Sequence, residues 1–471
     1  MNFNEAVRRA KWVGGGVRLE FNDIVNDLVS WVLPSLKKPT RVLFIYTNIN
    51  DSHVASIPFG LASIVGFAEN LGYKSVVKTC TSVEQFQELC EFARSYAPEV
   101  IAFTSVMTQF KYVAALAEQL SAVRPESLIV CGGVHVTLAP ESLFEAPGLD
   151  CLILGEGEFA FAEFLGCVDS GADYHHIQNL AYRCGGQLVQ NALRPRMESL
   201  DALPFPGRKH FPDPHFSFFF TRGCPFNCSY CSNHALAAVY GLTRNTPRYR
   251  TPKSAIQEIE EGLCRRPLVR QLEIFDDTFG IDRHWRDEFL RLYKKRIGLP
   301  FRCLINPLVV TRSFAEMLRD AGCYTVSMGV ESGNEFMRRK VMRRHMSRDQ
   351  IVRAFRFISE HGMQTLAWNV IGLPGETVQS LRDTVDLNRE IQATNPCCQV
   401  FHPYPGTHLG DLCSSQDLLD ETLLATNFKE RMRSVLKFSD EMHALLIHCV
   451  EDFEAIVRGT MRMGGRGSRK S

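Results

Sequence analysis

The sequence predicts an α/β protein built from two successive repetitive halves. The first is a doubly wound parallel sheet; the second is a partial β/α barrel, followed by a helical C-terminal region. Three observations carry this reading. Short, continuously apolar runs alternate with amphipathic stretches over residues 41–165 and again over 217–410. Runs without polar alternation mark strands covered on both faces, which is the habit of parallel sheets between helices. Glycine, cysteine and acidic residues collect where the strands end, where such folds bind ligands.

In the first half, "RVLFIYTN" opens as a strand. "PFGLASIVGFAENLG" follows as a helix, with Leu61, Ile64, Val65, Ala68 and Leu71 on one face and Gly72 as its stop. "KSVVKTC" is a second strand and "VEQFQELCEFARSYA" a second helix. "EVIAFTSV", a helix near Val113–Leu120, "LIVCGG", a short helix near "ESLFEA", and "CLILGEG" continue the series. About five strands fit a Rossmann-like sheet. Its strand-end loops carry Thr104 and Ser105, then Gly132, Gly133 and His135, then Gly155, Glu156 and Gly157. Glycines there let a ligand approach the backbone, or serve only as tight turns. Residues 1–40 form an N-terminal extension that matches no part of this pattern.

Residues 166–216 read as a polar linker, with "RCGGQLVQN" a hairpin and "LPFPGR" an extended piece. The second half opens with "SFFFTRG", a strand that runs into a cysteine-bearing loop. "QLEIFDDTF", "PFRCLIN", "YTVSMGVESG" and "TLAWNVIGLPGET" are later strands with their C-terminal loops. "SFAEMLRDAG" and "SRDQIVRAFRFISEHG" are helices between them, each closed by Gly. The pattern is that of a TIM-like β/α barrel, where chemistry sits at the C-terminal strand ends. Residues 411–471 are helical in pattern, and the last residues, "MGGRGSRKS", read as a tail expected to be disordered.

Composition narrows the function classes. A net charge of +1 over 471 residues argues for neither nucleic acid nor an anionic membrane as partner. No apolar run reaches membrane-spanning length, and "MNFNEAVRRAKWVGGG" lacks a signal-peptide core, so a cytoplasmic location is expected. The 16 cysteines are mostly scattered through apolar segments and read as reduced thiols.

The exception is "TRGCPFNCSYCSN", where Cys224, Cys228 and Cys231 stand as CxxxCxxC. Thiolates are soft ligands for zinc or for an iron–sulfur cluster. A structural zinc site wants four ligands, and His234 would supply the fourth. A cubane with one open iron needs only three. This triplet after a first barrel strand, with Tyr230 before the last cysteine, resembles the radical S-adenosylmethionine (SAM) superfamily. The resemblance implies that Cys224, Cys228 and Cys231 hold a 4Fe–4S cluster whose open iron binds SAM. Reductive cleavage of SAM then gives a 5′-deoxyadenosyl radical that abstracts hydrogen from a small-molecule substrate.

The same resemblance places further contacts. Asp276 and Asp277 in "FDDTF" stand where the family binds the methionine amino group, although Asp also favours helix N-caps. Glu331 and Ser332 in "GVESG" stand at the ribose, and Gly372 in "VIGLPGET" beside adenine. In that segment Gly375 suits a turn and Glu376 a helix N-terminus. The first half resembles the cobalamin-binding domains of class B radical SAM enzymes, with Ser105, Gly132, Gly133, His135, Gly155 and Glu156 lining the cofactor site. "NDSHVAS" approaches the cobalt-ligating DxHxxG pattern at Asp51 and His53, but Ser56 replaces the glycine, which favours a plain loop histidine. Methylation of an unactivated carbon is the implied reaction. Oxidative cyclisation or rearrangement on the same architecture is the alternative, and a non-catalytic iron–sulfur sensor is a third. An external donor such as flavodoxin or ferredoxin would supply electrons. "FMRRKVMRRHMSR", residues 336–348, reads as a solvated basic helix face, or as a receiver for an anionic substrate. Cys303, Cys323, Cys397 and Cys398 read as buried apolar fillers.

Overall fold

A computed structural model describes residues 40–50, 57–426, 429 and 431–464. The N-terminal extension, His53 with its DxHxxG-like loop, and the tail from residue 465 lie outside the described residues. The chain divides into two compact units, with the change between Pro212 and Asp213.

In the first unit β1 (Arg41–Thr47) pairs in parallel with both β2 (Lys74–Cys80) and β3 (Val100–Thr104). β4 (Leu128–Gly132) and β5 (Cys151–Ile153) extend the sheet beyond β3, also in parallel. The order β2-β1-β3-β4-β5 reverses direction between β1 and β3, which is the switch point of a doubly wound sheet. The helices are α1 (Phe59–Asn70), α2 (Phe86–Tyr96), α3 (Met107–Val123), α4 (Val134–Leu138) and α5 (Glu158–Ser170). Strand alternation divides the core. Val42 and Phe44 of β1 pack with Leu61 and Val65 of α1 and Phe161 of α5, while Leu43 and Ile45 pack with Leu89 of α2 and Val113 of α3.

The segment expected to be a linker is largely part of this unit. α5 runs through residue 165 to Ser170 and ends at Gly171, whose φ of +68° accepts the left-handed turn. β6 (Leu180–Cys184) and β7 (Gln187–Gln190) form the expected hairpin, with Gly185 and Gly186 at positive φ in its two-residue turn. The hairpin is antiparallel to β5 and lengthens the sheet to seven strands. Its outer strand is short and begins and ends in exposed glutamine, so the sequence reads as surface although its first strand buries Leu180 and Ala181 on opposite faces.

The second unit holds six parallel strands in simple sequence order, the arrangement of a partial β/α barrel. They are β8 (Ser217–Phe218), β11 (Leu272–Ile274), β12 (Phe301–Ile305), β13 (Cys323–Glu331), β14 (Gln364–Ile371) and β15 (Asn395–Val400). A two-stranded antiparallel pair, β9 (Thr221–Arg222) with β10 (Arg248–Tyr249), lies just beyond β8. α6 (Ser232–Val239) follows the cysteine loop. α7 (Pro252–Arg265), α8 (Arg283–Arg296), α9 (Arg312–Asp320), α10 (Arg348–Glu360) and α11 (Val378–Ile391) complete the outer layer. Thr251, Asp282, Thr311, Ser347 and Thr377 cap these five helices through side-chain oxygens, which fixes where each strand-to-helix loop ends.

On β14 the outward residues Thr365, Ala367, Asn369 and Ile371 are fully buried, while the inward Leu366, Trp368 and Val370 are only half-buried. The inner face of the strands is therefore partly open. The C-terminal region continues with α12 (His408–Ser415), α13 (Glu421–Ala425) and α14 (Asp440–Val457). α14 lays Leu446, Cys449 and Phe453 against Ile371, Cys398 and Val400 and against Leu381 and Val385 of α11. It thus covers the outer face of the last two strands.

Candidate functional site

The cysteine loop leaves β9 through Gly223, at φ +97°, where an added Cβ would lie 2.6 Å from Asn245 Oδ1. Cys228 is buried, and Cys224 and Cys231 are half-buried. Cys231 is the residue at the N-cap of α6, where the helix dipole favours a thiolate. Burial and the neighbouring Cys228 nevertheless push its thiol up to about 12, so it stays neutral until a metal displaces the proton. Burial raises Cys224 likewise; its Sγ lies 4.0 Å from the hydroxyl of Thr278. Among the described residues no three His, Cys, Asp or Glu side chains converge as they would around a single ion. A cluster makes no such demand, because each thiolate takes a different iron.

Strand geometry separates the two aspartates. Asp276 is fully buried, and its Oδ1 accepts from the backbone N–H groups of Phe220 at 2.6 Å and Thr221 at 3.1 Å. These donors lie where the expected long first strand breaks into β8 and β9. Asp276 therefore pins the start of the cysteine loop, and its Oδ2 is left buried without a partner. Asp277 faces the other way. It is half-buried, it bonds Asn233, and its charge is felt by the thiols of Cys224 and Cys231. Of the pair, Asp277 is the one whose charge reaches the thiols of the cysteine loop.

Glu331 ends β13 at φ +67°, after an irregularity in the pairing with β14. Its carboxylate is nearly buried, lies 3.5 Å from Arg344 Nη1 and accepts from Tyr230. Burial raises its pKa against both partners. Gly329 makes room for this arrangement, since a Cβ there would meet Glu331 Oε1 at 2.2 Å and Arg344 Nη2 at 2.8 Å. Arg344 also donates to Gly329 O at 2.7 Å and approaches Cys228 Sγ at 3.7 Å.

Ser332 does not share the carboxylate's exposure. It is buried, accepts from the Asn334 N–H at 3.2 Å and faces Thr384 Oγ1 at 3.5 Å, so it shapes the turn that follows Glu331. Gly372 has φ +73°, and a Cβ would press on Val400 and Leu446. Glu376 is buried, accepts from the Leu373 N–H and the Ser380 hydroxyl, and is pushed up to about 7 by burial.

The basic run is not a solvated face throughout. Arg338 is completely buried, donating to Ser332 O at 2.6 Å and Met346 O at 3.1 Å. Arg344 is nearly buried in the site, while Arg339 and Arg343 stay exposed with Glu335 and His408. The period of this segment is disturbed by a π-helical turn over Met337–Val341, which helical-wheel reasoning does not anticipate. Cys303, Cys323 and Cys398 are buried as expected, the first two with sulfurs 3.9 Å apart, whereas Cys397 is half-buried on the inner face of β15.

In the first unit the strand-end residues lock together. Gly133 has φ +105°, and a Cβ would lie 2.6 Å from Ser105 O and 2.8 Å from Thr104 Oγ1. Ser105 is buried, donates its N–H to Gly132 O at 2.9 Å and accepts at O from the His135 N–H at 3.1 Å. Thr137, which the sequence pattern did not single out, accepts from the Gly155 N–H at 2.9 Å and donates to Gly133 O at 2.8 Å. Glu156 accepts from the Met197 N–H at 3.0 Å. His135 packs against Phe110 with ring centroids 4.5 Å apart and the planes tilted by 41°, and both ring nitrogens are buried without a partner. Burial lowers its pKa to about 4, so it is a neutral imidazole with unused hydrogen-bonding capacity. A polar cofactor passing over these glycines fits that vacancy in the hydrogen-bond pattern.

The barrel unit and its three-cysteine loop define a radical SAM domain: residues 218–387 match the Radical SAM superfamily. Residues 49–165 match the B12 binding domain. The chain is therefore a radical SAM enzyme that carries a B12-binding domain ahead of its barrel. It is 23% identical over 376 residues to an uncharacterized methyltransferase of Pyrococcus horikoshii, covering 77% of this chain and 79% of that one. It is 26% identical over 396 residues to the anaerobic magnesium-protoporphyrin IX monomethyl ester cyclase of Rubrivivax gelatinosus, covering 78% and 69%. In fold it is similar to the radical SAM methyltransferase TsrM of Kitasatospora setae, whose structure has cobalamin and a [4Fe–4S] cluster bound, with TM-score 0.67, 18% identity, and 80% and 75% of the chains covered. None of the 16 cysteines forms a disulfide, and no described helix is long and apolar enough to cross a membrane.

Proposed function

We propose that the protein is a cobalamin-dependent radical SAM methyltransferase that acts on an unactivated carbon of a small molecule. The observation that carries this reading is the pairing, in one chain, of a three-thiol loop at the strand ends of a partial barrel with a glycine-lined Rossmann-like sheet that holds an orphaned histidine. The bound cofactors supply the chemistry: the cluster and SAM a carbon-centred radical, cobalamin the methyl group.

The chain's own residues hold and orient. Cys224, Cys228 and Cys231 would hold the cluster. Asp277 accepts from the methionine ammonium of SAM. Glu331 still has acceptor positions beyond those used by Tyr230 and Arg344, enough for a ribose hydroxyl. Gly372, at positive φ, would turn the backbone of this segment beside the adenine, while its missing side chain leaves room for Val400 and Leu446. Ser105, Gly132, Gly133, His135, Gly155 and Glu156 form the cobalamin-facing strand ends, with Thr137 holding two of the loops together. An external one-electron donor such as a flavodoxin or ferredoxin reduces the cluster.

The test uses anaerobically purified protein, reconstituted with iron, sulfide and hydroxocobalamin, and then given reductant, SAM and candidate substrates. A methyltransferase binds cobalamin and yields both 5′-deoxyadenosine and S-adenosylhomocysteine, because each product reports one use of SAM. 5′-Deoxyadenosine without S-adenosylhomocysteine supports the second reading, an oxidative cyclase, which the similarity to the Rubrivivax enzyme favours. A loaded cluster that cleaves no SAM with any substrate supports a sensor instead.

A further inference from the structure

Arg344 comes from a basic run with no evident role in the site, yet it sits at the centre of it. Its side chain is one-tenth exposed. Nη1 lies 3.7 Å from Cys228 Sγ and 3.5 Å from Glu331 Oε1, and Nη2 donates to Gly329 O at 2.7 Å. The guanidinium is thus clamped by a carboxylate and a carbonyl, with one edge turned to a proposed cluster ligand. The Ser229 hydroxyl donates to Val341 O at 2.6 Å and its N–H to Met342 O at 3.0 Å, so the cysteine loop and the segment bearing Arg344 are tied in register. The clamp is specific: Gly329 has no Cβ because one would strike both Glu331 and Arg344.

We propose that Arg344 sets the reduction potential of the cluster by donating to the Cys228 thiolate, with Glu331 as the residue that positions it. This rests on the cluster reading of the three cysteines. The physical reason is charge. A one-electron donor adds one negative charge to the cluster and its thiolates. A donor aimed at a ligating sulfur stabilises that added charge and raises the potential. Burial strengthens the effect, since a contact with one-tenth of the arginine side chain exposed is screened little. Arg344 is a positioning and tuning residue here; it takes no part in bond making.

The experiment is an EPR-monitored redox titration of the reconstituted full-length holoprotein, wild type against Arg344→Gln and Glu331→Gln. Iron and sulfide content and the visible spectrum are recorded first. A wild type that holds no 4Fe–4S cluster refutes the cluster reading itself. With the cluster present, Arg344→Gln is expected to lower the equilibrium constant for reduction about tenfold, which is about 59 mV for one electron. The variant loses the donor and leaves the Glu331 charge uncompensated. Glu331→Gln keeps an acceptor oxygen for Arg344, so the clamp is retained, and removes only the nearby negative charge; the potential is expected to rise. Unchanged potentials in cluster-loaded variants overturn the proposal. If Arg344→Gln assembles no cluster, a third variant, Arg344→Lys, decides: it keeps the positive charge but cannot both hold the Glu331 and Gly329 contacts and reach the sulfur, so a lowered potential supports the proposal and an unchanged one overturns it.

Discussion

The role given to Asp276 has a measurable pH signature. Its carboxyl is fully buried; burial is the chief reason its pKa rises from 3.8 to about 7, the two backbone N–H bonds opposing the rise. A rise of about three units corresponds to about 4 kcal/mol between the protonation states, an upper bound for the titration of this one group. The folded state holds the proton more tightly than the unfolded chain. Stability from this group is therefore complete below about pH 4 and falls as pH climbs to about 7, with a slope of at most about 1.4 kcal/mol per pH unit. Asp276→Asn keeps an oxygen for the Phe220 and Thr221 donors and removes the titration. Urea unfolding of the reduced apoprotein at pH 5.0, 6.0 and 7.0, for wild type and Asp276→Asn, reads the difference. The variant should gain on wild type by about 1–3 kcal/mol over that range. Asp276→Ala, which strands both N–H groups, should lose about 2–6 kcal/mol at every pH. Parallel pH profiles for wild type and Asp276→Asn would refute the argument, because the unpartnered Oδ2 would then have access to water.

Three further outcomes follow from the same geometry. Asp277→Asn should raise the KM for SAM in 5′-deoxyadenosine formation about 10- to 100-fold, the range for a lost charge-assisted bond, while Asp276→Asn leaves it within about threefold. Gly133→Ala should destabilise the first unit by about 1–3 kcal/mol, read by thermal melting, and abolish cobalamin retention while iron content stays at the wild-type level. Thr137→Val removes both the bond from Gly155 and the bond to Gly133 and should cost about 1–3 kcal/mol, with weaker cobalamin retention measured by absorbance after desalting.

What the sequence disclosed, and what it withheld, divides along physical lines. The parallel strands were legible because a strand buried on both faces has nowhere to place a polar residue: Val42 to Ile45 are all fully buried, two to each side of the sheet. The strand-end loops were legible because function keeps glycine, cysteine and acid in positions where packing does not ask for them. The hairpin β6–β7 was recognised by its Gly185–Gly186 turn, but its attachment to β5 was not, because an edge strand half-open to water carries no continuous apolar run. Adjacent residues were also hard to separate. Asp276 and Asp277 look alike on paper, and only strand alternation decides that one braces the loop and the other faces the thiols.

The basic run 336–348 shows the limit most sharply. Composition predicts that arginines stand in water, and the desolvation cost of a buried guanidinium supports that expectation. The structure offsets the cost for Arg338 with backbone carbonyls and for Arg344 with Glu331, Gly329 O and a cysteine sulfur. No local pattern marks these two among their basic neighbours: the π-helical turn breaks the period that would place Arg338 against the Ser332 and Met346 carbonyls, and the partners of Arg344 lie on β13 and in the cysteine loop. A buried arginine without a dedicated acid is costly for stability alone; Arg338 spends its donors on the turn that presents Glu331, and Arg344 spends its donors on Glu331 and Cys228. Both therefore act on the same carboxylate, one through the Ser332 carbonyl behind it and one directly. Replacing either should disturb Glu331 more than it disturbs the fold of the remaining strands.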